Sequence, residues 1–371
     1  MPIPTDLLQA KQSVAPRLLR AALRGGTVTA RRPLRVSGRI SGAIAAAGAN
    51  VHAVGVGKKI VAGKATKQSC LRFYVAQKLP LSLLAPRDRL PETIDGLATD
   101  VIETAPAFAL GSTVVKKPPP KTARPAAKRR SATRQEDCSE ARQSRQRPLV
   151  AGISVAHEDV TAGTLACFCR STRSGDDPGQ VLALSNNHVF ADTNRALIGD
   201  DLLQPGPADG GSVTDHIATL QRFQEIVIDG QTPNRIDAAV GLLLPEIESR
   251  TEICTIGPLS GAERGVEGME VRKHGRTTGY TEGVVTDESY DALVGMDAFD
   301  PSAVALFVDQ LRIEVTPPYS AIGLGGDSGS LIVNRAAPRA VGLFFAGPQS
   351  GVYGIANQMN DVMESLEIEP I

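Results

Sequence analysis

Apolar positions change their spacing several times along the 371 residues, and each change marks an element. Over residues 5–23, Leu7, Leu8, Val14, Leu18, Leu19 and Leu23 recur at near-helical intervals, with Pro16 interrupting. Residues 1–50 therefore read as a short helical or flexible arm on the surface. From residue 51 the pattern turns strand-like: apolar runs at 51–57, 71–75 and 99–103 are separated by Lys78-Leu79-Pro80 and a turn at 91–96. That predicts a small α/β domain over 51–111. Residues 112–147, with Pro118-Pro119-Pro120 and Lys128-Arg129-Arg130, have the composition of a basic, Pro-rich disordered linker. Beyond 148, short apolar runs at 163–168, 181–184, 331–333, 341–347 and 351–355 alternate with turns. The expectation for 148–371 is a mainly-β domain closed by a short helix at 361–366.

Composition narrows the function. Forty basic and forty acidic side chains cancel, so net charge singles out no polyanionic or polycationic partner. Abundant Gly and Pro, few aromatics and no Trp suit a loop-rich β protein better than a helical bundle. Cys70, Cys138, Cys167, Cys169 and Cys254 are scattered and odd in number, which reads as no disulfide framework and favours a reducing compartment. Cys167 and Cys169 share one strand face and are expected to pack rather than hold a metal. No run approaches the roughly 20 apolar residues that cross a bilayer. The N-terminus lacks the apolar core of a signal peptide, although its Arg-rich, acid-poor start also fits a transit peptide. The expectation is a soluble, cytoplasmic protein with no membrane contact, no cofactor and no metal.

Candidate chemistry gathers at Gly325-Gly326-Asp327-Ser328-Gly329-Ser330. Small residues surround the Ser328 hydroxyl, as an attacking oxygen needs, and the N–H groups of Gly326 and Ser328 can converge on an oxyanion. His188 follows the apolar run 181–184, between Asn187 and Val189 and just beyond Asn186, where polar neighbours can fix its ring for general-base work. Asp237 sits in the apolar context Ile236-Asp237-Ala238-Ala239, which is costly unless the carboxylate is paired; an imidazole N–H would satisfy it. Other chemistries fail on spacing. The chain has no GxSxG or HExxH, Gly55-x-Gly57 extends to no dinucleotide fingerprint, and His52, His157, His216 and His274 lack ligand-type neighbours.

The order His188, Asp237, Ser328, together with the hairpin sequence Gly275-Arg276-Thr277-Thr278-Gly279-Tyr280-Thr281-Glu282-Gly283, resembles chymotrypsin/trypsin-like serine peptidases with two β-barrels. With the 51–111 stretch included, the whole chain is similar to NARROW LEAF-type peptidases and their bacterial relatives. The resemblance implies Ser328 as nucleophile, His188 as base and then acid, Asp237 as the orienting carboxylate, and Gly326 and Ser328 as the oxyanion hole. It implies a pocket formed by Ile322, Gly347 and Gly351, with an apolar floor at Ile322 that favours medium or large apolar residues. It also implies that Asp327, which many relatives pair with a new N-terminus, here pairs with Lys273 or Arg276. An Arg272–Glu282 pair would replace a disulfide found in secreted relatives, and Phe345 stands where many relatives have a serine that steadies the aspartate. Ser330 replaces a second glycine.

The reading is an intracellular serine endopeptidase acting on protein or peptide, with self-association left open. Two other readings compete with it. One is a catalytically silent, protease-like peptide-binding module. The other is a nucleic-acid adaptor working through the basic linker, which the lack of interleaved aromatics disfavours.

Overall fold

In the computed structural model, residues 3–24, 50–84, 89–109, 138–297, 300 and 302–371 are described, and strands predominate among them. Helix α1 (Thr5–Arg24) continues through Pro16, although an interior proline costs about 3 kcal/mol. Burial offsets that cost: Leu7, Ala10, Ala15 and Leu19 share a core with Val54, Val56, Leu71 and Phe73 of strands β1 (Val51–Val61) and β2 (Lys64–Val75). Lys11 is buried with them, its Nζ donating to Asp291 Oδ1 at 2.6 Å and Ser289 Oγ at 2.7 Å. The expected surface arm is, over these residues, a packed helix.

The 51–111 stretch was expected to form a unit of its own, and its strands instead extend the larger sheet. Strand β1 pairs antiparallel with β2, β2 runs parallel to β3 (Leu97–Glu103), and β1 also pairs with the C-terminal half through Ala53↔Ala292 and Val54↔Asp291. A short strand, β4 (Ala107–Ala109), follows. Most of the expected linker lies outside the described residues; within 138–147, Arg142 and Gln143 bond to the hairpin, whereas Gln146 and Arg147 bond to Gln204. Arg142 Nε donates to Arg276 O at 3.1 Å and its Nη2 to Thr277 O at 3.2 Å.

Strands β5 (Cys167–Ser171), β6 (Leu182–Ser185), β7 (His216–Phe223) and β8 (Ala239–Leu243) belong to an eight-stranded antiparallel sheet. Alternation assigns their faces. Phe168, Ala183, Ala218 and Ala239 enter one core, whereas Cys167, Cys169, Leu182, Leu184 and Val240 enter another. Cys167 and Cys169 are accordingly packing residues, their sulfurs 3.7 Å apart.

Six later strands close a ring: β9 (Glu270–Gly275), β10 (Gly279–Gly295), β11 (Val304–Val315), β12 (Leu331–Asn334), β13 (Ala340–Gly347) and β14 (Tyr353–Gln358). Their neighbours run β9–β10–β11–β14–β13–β12 and back to β9. Val271, Val285, Leu311, Ile313, Ile332 and Val341 fill the interior. Between this barrel and the eight-stranded sheet, Leu184, Ile236 and Val240 meet Leu331, Leu343 and Val362, the last from the C-terminal helix (Met359–Leu366). The mainly-β expectation holds, and the seam between the two β units is apolar and continuous.

One sequence inference is overturned here. Cys138 and Cys254 form a disulfide across 116 residues, so the scattered cysteines give no argument for a reducing compartment. No helix among the described residues is long and apolar enough to cross a membrane.

Two buried imidazoles tie stability to pH. His52 Nε2 lies 2.9 Å from Thr104 O, and His274 Nδ1 lies 3.0 Å from Gly152 O. Burial, only partly opposed by these hydrogen bonds, lowers each pKa from 6.5 to about 4. Between those values the unfolded chain binds protons that the folded chain does not, so stability is lost as pH falls through the window. Each ring contributes roughly 3 kcal/mol at neutral pH that is gone below pH 4. Urea unfolding at pH 7 and pH 4.5 checks this, and equal stabilities would contradict neutral burial of both rings.

Candidate active site

Strand register explains how His188 meets Asp237. Strands β6 and β8 are antiparallel, with Leu184 opposite Val240 and Ser185 opposite Ala239. The residues just after β6 therefore face those just before β8. His188 lies on the single turn α2 (Asn187–Phe190), and its Nδ1 is 2.5 Å from Asp237 Oδ2, with both side chains fully buried. The other carboxylate oxygen, Oδ1, accepts the His188 backbone N–H at 3.1 Å. Asn186 Nδ2 donates to Asp237 O at 2.7 Å, and Asp237 N–H donates to Asn357 Oδ1 at 3.1 Å. Among the described residues the carboxylate is therefore held by His188 alone, through ring and backbone, while Asn186 and Asn357 fix the Asp237 backbone. Asn357 was missed from sequence; its one signal is the pair of amide side chains, Asn357 and Gln358, that closes the otherwise apolar strand β14.

The Ser328 turn is packed against the same region. Gly326 and Gly329 have φ of 93° and 91°, the left-handed region that favours glycine. A Cβ on Gly329 would strike Thr164 O and Ser185 Oγ, the latter at the end of β6. A Cβ on Gly163 would strike the Val189 side chain and Ser328 O, so the His188 turn and the Ser328 turn both pack against this glycine. The Ser328 hydroxyl donates to Phe345 O at 3.2 Å, and His188 Nε2 has no hydrogen-bond partner among the described residues. The N–H groups of Asp327, Gly329 and Ser330 are spent on Leu324 O, Phe344 O and Asp327 O, each at 2.9 Å. Ser330, in place of a glycine, is accommodated by an Oγ bond to Asp327 O at 2.6 Å.

Asp327 is held from every side. Its Oδ1 accepts the N–H groups of Thr277 (2.9 Å) and Thr278 (3.1 Å), and its Oδ2 accepts Leu324 N–H (2.8 Å) and Thr278 Oγ1 (2.9 Å). Lys273 Nζ stands 3.5 Å from Oδ1, both groups fully buried. Burial depresses the Lys273 pKa, and Asp327 counteracts that. Of the two cations expected beside Asp327, the structure brings up Lys273 alone. Arg276 turns instead to Asp209, with Nε to Oδ2 at 2.8 Å and Nη2 to Oδ1 at 2.5 Å. The expected Arg272–Glu282 pair is also displaced: the two residues face each other across the ladder, yet Glu282 Oε1 takes Arg335 Nε at 3.2 Å and Tyr280 Oη at 2.6 Å.

The expected pocket residues are adjacent in part. Ile322 N–H donates to Gly351 O at 2.8 Å. The Ile322 side chain, however, belongs to the barrel interior with Ile313 and Phe344. The Phe344 ring lies directly over both Gly323 and Gly354, where any Cβ would strike it. Gly347 is covered, since it pairs with Phe108 of β4.

No protein-family model matches the chain, and no curated protein sequence does. Solved structures similar to it include Thermobifida fusca protease A, at 13% identity and a TM-score of 0.41 over 60% of this chain and 97% of that one. A glutamic acid specific serine protease with a histidine triad in substrate binding gives 16% identity and 0.43, over 60% of this chain and 100% of that one. Cellulomonas bogoriensis chymotrypsin gives 13% and 0.40, over 60% and 97%. Residue roles rest on the geometry above rather than on these likenesses.

Proposed function

We propose that the protein is a serine endopeptidase in which Ser328 attacks a peptide carbonyl, His188 takes and returns the proton, and Asp237 holds the imidazole. The observation that carries this reading is the buried His188–Asp237 pair at 2.5 Å, which fixes Nδ1 as the bonded nitrogen and leaves Nε2 without a partner among the described residues. The step is acyl transfer: Ser328 Oγ bonds to the carbonyl carbon, its proton passes to Nε2 and then to the leaving amine, and water releases the acyl group. The N–H groups of Gly326 and Ser328, which the turn does not spend, would stabilise the oxyanion. A fluorophosphonate probe tests the reading. Labelling mapped to Ser328 supports it, and a folded protein that never reacts rejects it.

The substrate side chain next to the cut, expected from sequence to be medium or large and apolar, is read instead as apolar and of small or medium size. Among the described residues the cluster around Ile322 is apolar and offers a cation no carboxylate, and the Phe344 ring lies against both Gly323 and Gly354. Phe344→Ala should move peptide-library preference toward Phe or Leu by about tenfold or more in kcat/KM ratio. An unchanged profile, or a wild-type preference for Lys or Arg, would contradict this pocket. One observation favours the silent binding module as a second reading: the Ser328 hydroxyl points to Phe345 O rather than to His188. Apo geometry of this kind commonly tightens when substrate arrives.

A further inference from the structure

Strand β4 lies on the edge of β13 that carries the nucleophile. Going along β13, Leu343 pairs with Leu331 of β12, and Phe344 exchanges bonds with the serine turn through Gly329 N–H to Phe344 O (2.9 Å) and Phe344 N–H to Ser330 O (3.0 Å). Phe345 O takes the Ser328 hydroxyl. The next two positions, Ala346 and Gly347, pair antiparallel with Ala109 and Phe108. The direction is fixed by that register: from Phe108 to Ala109 the chain advances from Gly347 toward Phe345, that is, toward Ser328.

A peptide presented for cleavage needs its backbone held in extended form beside the attacking oxygen, and an open strand edge supplies that through main-chain hydrogen bonds. The Ala346–Gly347 edge has the position and polarity for it, and this chain already fills it. The occupant is well anchored. Ala107 and Phe108 also pair in parallel with Val294 and Gly295 of β10, the Phe108 ring covers Gly295, and Tyr353 Oη donates to Ala105 O at 2.6 Å just upstream. Ala107 is buried in the core that includes Phe345, Ala346 and Tyr353.

Resting on the endopeptidase reading, we infer that β4 is an internal occupant of the substrate strand's place, so that the enzyme is held closed by its own chain until β4 is displaced. An intramolecular strand competes at an effective concentration near the millimolar range, far above a micromolar peptide. A small electrophile needs no strand edge and escapes this competition.

The test uses the full chain with two probes of Ser328, a small fluorophosphonate and a tetrapeptide phosphonate ending in an apolar residue. In wild type the small probe reacts and the peptide probe is slow. Phe108→Asp, and more mildly Phe108→Ala, should accelerate the peptide probe by about tenfold or more while leaving the small-probe rate within about twofold. Peptide-probe rates equal to wild type in both folded variants overturn the inference. Failure of the small probe with every protein is a different result, since it removes Ser328 as nucleophile and takes the inference with it.

Discussion

Ser328→Ala should abolish fluorophosphonate labelling and lower peptide hydrolysis by about 10³-fold or more, with little change in thermal unfolding. The hydroxyl makes one hydrogen bond, to Phe345 O, and removing it leaves the turn's backbone bonds intact. Its structural contribution is therefore about 1 kcal/mol. A large kinetic effect with a small thermodynamic one is the signature of a nucleophile rather than a packing residue. The comparison is best made in the Phe108→Ala background too, where a displaced β4 cannot mask turnover. Hydrolysis by the alanine variant above a tenth of the parent's would refute the assignment.

Asp327→Ala should be among the most destabilising single changes in the barrel, by about 3–5 kcal/mol, because it leaves the Lys273 ammonium buried without an anion. It also strips acceptors from the N–H groups of Thr277, Thr278 and Leu324. Lys273→Met should cost less, since the carboxylate keeps all those donors and the Thr278 hydroxyl. The double variant should then cost less than the sum of the two singles. Urea unfolding of the four proteins measures this coupling, and additive effects would show that the 3.5 Å approach is incidental. We propose from the same arrangement that no proteolytic activation is needed, since Asp327 already has its cation and its donors without a chain terminus beside it.

What was legible in the sequence was local. Helical spacing marked α1, although only tertiary burial explains why Pro16 does not end it. The apolar run ending at Ser185, the polar turn around His188 and the carboxylate between Ile236 and Ala238 each carried a signal within a few residues. What was not legible joins distant segments. Lys11 meets Asp291, Arg276 meets Asp209, Asn357 meets the Asp237 backbone, and Cys138 bonds to Cys254. None of these follows from a period or a spacing, because partner choice depends on which strands become neighbours. Phe344 shows the same limit. Its place in the unbroken apolar run 340–347 says only that it is buried, and nothing local says that two glycines on other segments give its ring the space.

The pairing of β1 with β10 bears on how the chain can evolve. Modules that swap between proteins have few contacts across their borders, and cutting at such a border leaves two soluble pieces. Here the border runs through a hydrogen-bonded ladder, and Leu293, Val304 and Leu306 on the far side belong to the same core as α1. A chain trimmed to its C-terminal half would present an unpaired strand edge beside bare apolar surface, the combination that drives sheets to stack on one another. Helix α1 and strands β1–β3 are thus an inseparable part of the protein's architecture, tied to the barrel whose sheet they extend.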